Sequence, residues 1–440
     1  MTSIDRVICG NDDALAAGPD LLVRNIGQLC TLDAPDAPDA ARAGPRRGAG
    51  LDDPGSVGGA ALAVHGGRVL AYGPQAALLA RCGAPRAVHD AGGRCVVPGW
   101  VDPHTHAVFG RTRQDEYERR LRGETYLQIA AAGGGIQSSV RDLRGRSDDD
   151  LRELTVARLR EILEYGTTTI EIKSGYGLSY HDEARMLRIA GDAAAAVGLR
   201  VVRTCLAAHE VPTEYRDRRD DYVRLVCDEI LPRIVDEGLA ERLDVFCEPS
   251  VFDLEQTATI LRRGRELGLR ATVHADELEP FGGAALAARL GADSADHLIR
   301  IDDAGIAALA GSPTVAVLLP GTVFSLGLCG YAPARTMIEA GVAVALATDF
   351  NPGSCPIASV PLIQSIACTQ MRLTPAEALA ACTVNAAWAL GLQDEVGSLA
   401  PGRAADFLVL DVDDVRLVPY HAGRNPVREV WRDGRRLVAR

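Results

Sequence analysis

The sequence has almost no lysine and no long uncharged apolar segment. Of its 47 lysine and arginine residues only Lys173 is a lysine, so nearly every positive charge is carried by a guanidinium group. No stretch of about 18 apolar residues is free of charge, so the sequence predicts no transmembrane helix. The first residues, MTSIDRVICGNDD, also lack the basic and then apolar order of a signal peptide.

Paired cysteines and an excess of positive charge are missing too. The 11 cysteines are scattered without a CxxC pair, which is typical of reduced thiols in the cytoplasm rather than of a disulfide scaffold. Among 440 residues, 59 acidic and 47 basic side chains give a formal net charge of −12, which opposes phosphate binding. We therefore expect a cytoplasmic protein with no nucleic-acid partner and no membrane partner.

Both ends of the chain consist of short strand-like segments. The residues ALAVHGGRVLAY, at positions 61–72, predict a hairpin with a Gly-Gly turn, and residues 396–440 return to a similar pattern. Residues 33–58 are rich in Pro, Ala, Asp and Gly, which predicts a flexible surface insertion. We expect residues 1–95 and 393–440 to form one small β-sandwich-like domain.

Residues 96–392 alternate between apolar strands and helices and are expected to form the main domain. The predicted strands are Cys95–Val101, Thr167–Lys173, Arg200–Ala208, Leu243–Glu248, Arg270–His274, Ser294–Leu298, Thr314–Leu319 and Val342–Ala347. Predicted helices between them include Asp149–Tyr165, Tyr180–Val197, Arg218–Glu237 and Asp253–Leu267. Eight such strands favour an α/β fold, a (β/α)8 TIM barrel. An open doubly wound sheet would need a glycine-rich turn after its first strand, where this sequence has DPHTHAVFG.

Histidine and aspartate side chains follow several of these strands, where a barrel gathers its catalytic residues. His104 and His106 are two apart on an extended segment, so both can point at one ion. His274 follows strand five, His297 strand six and Asp349 strand eight. Three imidazoles from this set, together with the carboxylate, would suit zinc or iron(II) with a position left open for water.

The ordered set of motifs resembles the amidohydrolase superfamily. PGWVDPHTH, VHADE, SADHL and ATDFNPG carry the general likeness. The finer resemblance is to the imidazolonepropionase family, in the segment HTHAVFGRTRQDEYERRLRGETYLQIAAAGGGIQSSVR and in EIKSGYGL, AAHEVP, TVHADEL and ATDFNPGSCP. The likeness runs from about residue 60 to the C-terminal VGSLAPGRAADFLVLD.

This resemblance implies a reaction and a cofactor. The reaction is hydrolysis of the cyclic amide of 4-imidazolone-5-propanoate to N-formimidoyl-L-glutamate, the third step of histidine degradation. The family pattern implies one zinc or iron ion per subunit, held by His104, His106, His274 and Asp349. His297 would then transfer a proton or hydrogen-bond to a ligand rather than bind the ion. This differs from the interpretation above, in which any three of the imidazoles could be ligands. The resemblance also implies a homodimer.

The motifs carry candidate residues for the substrate. Arg113, seven residues after His106, matches the family's position for binding the propionate, which a guanidinium can hold with two hydrogen bonds. Further candidates in the motifs are Tyr126, Tyr176, His209, Glu277, Asn351, Gly353 and Ser354. Asp349, His297 and Glu277 are the candidates for moving protons, and the sequence leaves open which is the base and which the acid.

Three further points stay open at this stage. Lys173 could carry a carbamate that bridges two metal ions, but it ends strand two, whereas the bridging lysine of two-metal amidohydrolases belongs on strand four. We therefore expect one metal ion and a role for Lys173 in hydrogen bonding or charge balance. The alternative functions are an amidohydrolase for another cyclic amide or amidine, and a non-catalytic barrel, although no metal ligand is missing.

Overall fold

The structure is a computed structural model that describes residues 6–35, 44–124, 128–129 and 132–440. Tyr126 lies outside the described residues. The N-terminal part contributes β1 (Ile8–Cys9), β2 (Leu21–Cys30), β3 (Ser56–His65), β4 (Arg68–Pro74), β5 (Ala87–Asp90) and β6 (Cys95–Pro98). β3 and β4 form the predicted hairpin, whose turn at Gly66 and Gly67 has positive φ at both residues.

Eight parallel strands follow in chain order and form the barrel. They are β7 (Trp100–Asp102), β8 (Thr167–Lys173), β9 (Arg200–Ala208), β10 (Arg242–Cys247), β11 (Arg270–Ala275), β12 (Ser294–His297), β13 (Val315–Leu318) and β14 (Val344–Leu346). The predicted bounds of β8 and β9 are confirmed. The first predicted strand was wrong, because Cys95–Pro98 pairs outside the barrel and the barrel strand begins at Trp100.

Both chain ends meet in a second sheet. The C-terminal strands β15 (Phe407–Leu410), β16 (Val427–Arg432) and β17 (Arg435–Ala439) join β1–β6 in one nine-stranded sheet. β6 pairs with β15, so the strand that leads into the barrel is hydrogen-bonded to the strand that follows it. This confirms that the two ends build one β unit, while the division of the chain at residues 95 and 393 stays a prediction.

The helices lie between the strands and at the chain ends. They are α1 (Asp12–Ala17), α2 (Gln75–Leu79), α3 (Gln114–Leu121), α4 (Ile136–Arg144), α5 (Asp148–Glu164), α6 (Tyr180–Val197), α7 (Arg219–Leu225), α8 (Leu231–Asp236), α9 (Leu254–Glu266), α10 (Gly283–Leu290), α11 (Asp303–Ala310), α12 (Pro320–Leu326), α13 (Ala334–Glu339), α14 (Val360–Met371), α15 (Pro375–Ala381), α16 (Val384–Leu390) and α17 (Leu417–Tyr420). Short 3-10 helices span Gly48–Asp52 and Thr213–Tyr215, and a π-helical turn, Val226–Ile230, joins α7 to α8. Within the described residues, none of these helices is long and apolar enough to cross a membrane.

Local capping explains why the limits of α6 could be predicted. The Ser179 side chain accepts a hydrogen bond from the backbone N–H of Asp182 at the N-terminus, which satisfies a donor that the helix itself leaves free. Gly198, at the C-terminus, adopts a left-handed conformation with φ of 87°.

The first and last barrel strands, β7 and β14, are joined by the residues that follow them. Thr105 and Phe350 form a parallel bridge, and the backbone N–H of Asp349 donates to the carbonyl of His104. Asp102 accepts hydrogen bonds from the backbone N–H and the hydroxyl of Thr348. Closure of the barrel therefore brings the HxH segment against the segment that carries Asp349.

Residues 36–43 of the predicted flexible insertion lie outside the described residues. The prediction is wrong for the described part, because the segment around residues 46–52 packs on the barrel and residues 56–58 begin β3. Leu51 is fully buried, and the Arg47 guanidinium donates to the carbonyls of Gly341, Ser312 and Ala310 near the ends of two barrel helices. Arg46 adds further anchoring, since its backbone N–H donates to Asn385 and its carbonyl accepts from the same side chain. A composition rich in small residues hid these contacts.

Candidate metal centre and substrate pocket

Five predicted site residues lie together at the carboxyl ends of the barrel strands. His104 and His106 follow β7, His274 and His297 lie at the ends of β11 and β12, and Asp349 follows β14. All five are at most 3% exposed. His297 and Asp349 also have positive φ, 76° and 54°, a strained conformation that residues other than glycine adopt mostly where the surroundings fix it.

The distances fit a shared ion. The Nε2 atoms of His104 and His106 each lie 3.6 Å from Oδ1 of Asp349. The ring centroids of His104 and His274 are 4.5 Å apart. Three groups have ligand atoms within 4.8 Å of one another: His104 with His106 and Asp349, His104 with His274 and His297, and His106 with His209 and His274.

Protonation and pairing also fit a metal site. Burial, together with neighbouring positive groups, holds the pKa values of His104 and His106 well below the ordinary range, so both imidazoles are neutral and able to act as ligands. Nε2 of His104 is buried with no hydrogen-bond partner in the described part of the chain. A neutral imidazole nitrogen that is buried, unpartnered and close to a carboxylate is a typical metal ligand, so these residues fit a metal ion.

Carboxylates fix the rings of two predicted ligands. His104 donates from Nδ1 to Oδ2 of Asp296 at 2.6 Å, and Nδ1 of His274 lies 2.8 Å from Oδ2 of Asp244. Such contacts orient the ring and would leave Nε2 available to bind an ion. Asp349 is held by the hydroxyl of Thr322, which donates to Oδ2 and leaves Oδ1 toward the histidines.

Arg113 lies over the loop that follows Asp349. Its backbone N–H donates to the carbonyl of Pro352, and its guanidinium packs on Gly353. Nε and Nη1 are buried and have no hydrogen-bond partner in the described part of the chain, while the nearest carboxylate oxygen, Oε2 of Glu116, is 3.8 Å from Nε. Two unused donors of one planar group can bind a carboxylate.

Tyr176 and His209 form the adjoining wall. The His209 ring stacks on that of His106, with centroids 5.1 Å apart, and the Tyr176 ring is 6.0 Å from His106. His209 donates from Nδ1 to the carbonyl of Gly175. Burial lowers the pKa of His209 to about 3, so its other nitrogen is an acceptor.

Glu277 and His297 are neighbours on the opposite side of His274. Nδ1 of His297 lies 3.6 Å from Oε1 of Glu277. Burial raises the pKa of Glu277 to about 8, and the nearby carboxylate of Asp349 adds to the rise. Glu277 is therefore protonated near neutral pH and could act as an acid in the pocket.

Comparison with known proteins agrees with this geometry. A sequence model described as "Amidohydrolase family" matches residues 131–438. An imidazolonepropionase of Symbiobacterium thermophilum is 48% identical over 422 residues, covering 95% of this chain and 97% of that protein. One of Solibacter usitatus is 47% identical over 423 residues, covering 96% and 99%. The chain belongs to the imidazolonepropionase family.

Solved structures with much lower sequence identity share the fold. An adenosine deaminase from Xanthomonas campestris with bound zinc superposes with a TM-score of 0.71 at 19% identity, covering 96% of this chain and 93% of that chain. A guanine deaminase from E. coli gives a TM-score of 0.70 at 18% identity, covering 95% and 99%. Both identities are low, so these likenesses support the fold alone.

In the motif DFNPGS, polar side chains form hydrogen bonds within the loop itself. Asn351 accepts hydrogen bonds from the backbone N–H groups of Gly353 and Ser354 and donates to the carbonyl of Asp349. Asn351 also donates to the hydroxyl of Ser354. The side chain of Asn351 therefore shapes the loop beside the metal ligand, and Gly353 gives Arg113 its space.

Several residues that shape the site were missed by sequence analysis. Thr322 holds Asp349, and the buried carboxylate of Glu183 accepts from the backbone N–H groups of Gly175, Gly177 and Leu178, which fixes the loop that carries Tyr176. Glu171, Asp244 and Asp296 lie in strands that are buried along their whole length. An acidic residue inside such a segment is a usable signal, because a buried carboxylate needs partners.

Proposed function

We propose that the chain hydrolyses the ring amide of 4-imidazolone-5-propanoate and forms N-formimidoyl-L-glutamate. The pocket supports this through Arg113, which lies beside the loop that follows Asp349 and whose buried Nε and Nη1 have no hydrogen-bond partner in the described part of the chain. The substrate's only full charge away from its reacting ring is the propionate, which a buried guanidinium with unpartnered donors can bind. Family membership supports the same reaction, because relatives that carry this name cover nearly the whole chain.

The proposed ligands of the metal ion are His104, His106, His274 and Asp349. When bound, one zinc or iron ion supplies Lewis-acid chemistry, which activates water and polarises the ring carbonyl. His297 and His209 also lie within reach of these ligands. We assign both to the reaction rather than to the ion. His209 would accept a ring N–H and His297 would stabilise the carbonyl oxygen, and each role needs a nitrogen that is not bound to a metal.

The other side of the pocket binds and orients the substrate. Arg113 binds the propionate, and the Tyr176 hydroxyl donates to the same carboxylate or to the ring. His209 is neutral and its free nitrogen accepts a ring N–H. Tyr126, which belongs to the same motif, stays a prediction for substrate binding.

Ring opening needs a base, an acid and a group that stabilises the carbonyl oxygen. Water adds through its oxygen to the ring carbonyl carbon, and the bond between that carbon and the ring nitrogen breaks. Asp349 takes a proton from the water, His297 stabilises the negative charge on the carbonyl oxygen, and Glu277 gives a proton to the departing nitrogen. Both fragments remain in one molecule, so no ammonia is released.

The decisive experiment is an assay with a product analysis. Purified, metal-loaded protein and freshly generated 4-imidazolone-5-propanoate should show loss of the substrate's ultraviolet absorbance and formation of N-formimidoyl-L-glutamate by mass spectrometry. A parallel ammonia assay separates ring opening from deamination. Release of ammonia, or no turnover of this substrate with turnover of another cyclic amide, would assign the site to a different amidohydrolase reaction.

Two further properties belong to this proposal. The described cysteines are all free thiols, which supports function in the cytoplasm. We also propose a homodimer, which light scattering coupled to gel filtration tests directly.

A further inference from the structure

A buried group of charges lies inside the barrel below the proposed metal ligands. Nζ of Lys173 is 2.8 Å from Oε1 of Glu171, 2.9 Å from Oδ2 of Asp244 and 3.7 Å from Oδ2 of Asp296. Each of these four side chains is 0% exposed. The carboxylates come from β8, β10 and β12, which are not neighbours in the sheet, so the contacts cross the barrel interior.

Each carboxylate also touches a part of the metal ligand set. Asp296 accepts from Nδ1 of His104 at 2.6 Å. Asp244 accepts from the backbone N–H of His274 at 3.1 Å, and its other oxygen lies 2.8 Å from Nδ1 of that ring.

Glu171 holds the backbone between the two histidines of the HxH segment. Its Oε2 accepts from the backbone N–H of Thr105 at 3.3 Å, and its carbonyl accepts from the Thr105 hydroxyl at 2.6 Å. The backbone N–H of Lys173 donates to the carbonyl of Thr105 at 2.9 Å. Through one carboxylate each, the ammonium group is therefore linked to two of the four proposed ligands, His104 and His274, and through Glu171 to the backbone between His104 and His106.

The sequence gives an independent reason to single out this position. Lys173 is the only lysine among 47 lysine and arginine residues, so the chain uses arginine at every other basic position. A guanidinium is planar and directs its donors outward in a fork, whereas an ammonium directs three donors to partners on different sides. Three carboxylates from three strands around one point fit the ammonium.

We propose that Lys173 is a positioning residue of the metal site: its ammonium group holds three carboxylates, which in turn orient His104, His274 and the HxH backbone. This inference rests on the proposed ligands but not on the identity of the substrate. Burial alone would lower the pKa of Lys173, and the three carboxylates instead raise it above its ordinary value. A carbamate on this nitrogen would place another negative charge among three, which argues against the two-metal alternative.

The first test uses the native protein, because one lysine gives one signal. Protein labelled with 15N only at lysine Nζ should show a single ammonium resonance whose chemical shift moves when zinc is added to metal-free protein. Magnesium, which disfavours imidazole ligands, is the matched control and should leave the signal unchanged. A resonance that does not respond to zinc would show that Lys173 is not coupled to the ligand set.

The second test removes the ammonium. Lys173→Met leaves three buried carboxylates without their cation, so the double variant K173M/E171Q is made alongside it to reduce the charge. In whichever variant folds, we expect metal affinity to fall about 10- to 100-fold, the usual effect of losing a group that orients ligands. The visible spectrum of the cobalt(II) form should change as well, because it reports ligand geometry.

A matched control separates positioning from general stability. Arg242 is another buried cation, 2% exposed and 3.1 Å from Asp293, at the opposite end of the barrel strands. Arg242→Met should lower the melting temperature but keep the zinc affinity and the cobalt spectrum of the unmodified chain. Retention of both by a folded Lys173 variant would overturn the proposal. These readouts need no substrate, so they stand apart from any failure of the proposed reaction.

Discussion

The guanidinium of Arg113 occupies the space directly above Gly353, where a Cβ atom would lie 1.1 Å from Nη2. Gly353→Ala should therefore displace the arginine, because the end of a flexible side chain yields before the backbone does. We expect kcat/KM to fall about 10- to 150-fold, the cost of roughly 1.5–3 kcal/mol for a hydrogen bond to a charged group. Bound metal should stay normal. Gly58→Ala, where nothing lies within 4 Å of the new Cβ, is the control.

Removal of the guanidinium itself tests what it binds. Arg113→Ala should lower kcat/KM for the substrate by about 30- to several-thousand-fold, or roughly 2–5 kcal/mol, because a buried charge pair is lost. Arg113→Lys should restore part of this, since an ammonium cannot make two parallel hydrogen bonds. The measurement includes an analogue without the propionate, which should react poorly with the unmodified chain and lose little more in the variant. Equal losses for both compounds would show that Arg113 does not bind the propionate.

Loss of one proposed ligand should remove the ion and the activity together. His104→Ala and Asp349→Ala each take one donor from the set, and elemental analysis should then show much less than the roughly one ion per chain expected before substitution. His181→Ala is the control, because that side chain is 81% exposed. Full metal content with normal turnover in either ligand variant contradicts the assignment. Roughly two ions per unmodified chain would favour a carbamate on Lys173.

Strand positions and the ligand order could be predicted because both follow simple rules. β8 is rich in β-branched residues and buried along its whole length, and barrel strands of this kind place the residue after their carboxyl end in the pocket. The hairpin of β3 and β4 followed from its Gly-Gly turn. The motifs then indicated Arg113, and the structure places it beside the loop that follows Asp349.

Contacts between distant parts of the chain could not be predicted in the same way. Thr322 and Asp349 meet because α12 and the segment after β14 are adjacent, which spacing alone does not reveal. Likewise, Cys95–Pro98 has the composition of a barrel strand, but its partner, β15, comes more than 300 residues later in the chain. Tertiary pairing decided both outcomes.

The anchored segment before β3 should contribute to stability but not to catalysis. Arg47 donates to Gly341 and Ser312 at 2.7 and 2.6 Å, at the end of the barrel opposite the site. Arg47→Ala should lower the free energy of unfolding by about 1 kcal/mol, because partly buried carbonyls lose their donors. Denaturant unfolding measures this, with Arg86→Ala, at a side chain 79% exposed, as the control. Unchanged stability, or a loss of kcat at unchanged stability, would contradict this role.

Glu277 should set the alkaline side of the pH profile. Burial first, and then the carboxylate of Asp349, raise its pKa to about 8, so the group is protonated near neutral pH and can act as the acid. Its proton is lost as the pH rises through that pKa, so kcat/KM should fall on the alkaline side. A bound cation favours the carboxylate and places this fall at or below about pH 8.

Glu277→Gln tests the assignment, since an amide has no proton to lose in this range. We expect the rate to fall by about 100- to 10,000-fold, the usual contribution of a general acid, and the alkaline fall to disappear from the remaining activity. The side chain of Glu277 lies near His297, so His297→Gln should also slow the reaction, but its profile should keep the alkaline fall. An unchanged alkaline limb in Glu277→Gln would mean that another group protonates the departing nitrogen, and the acid would then be sought at His297.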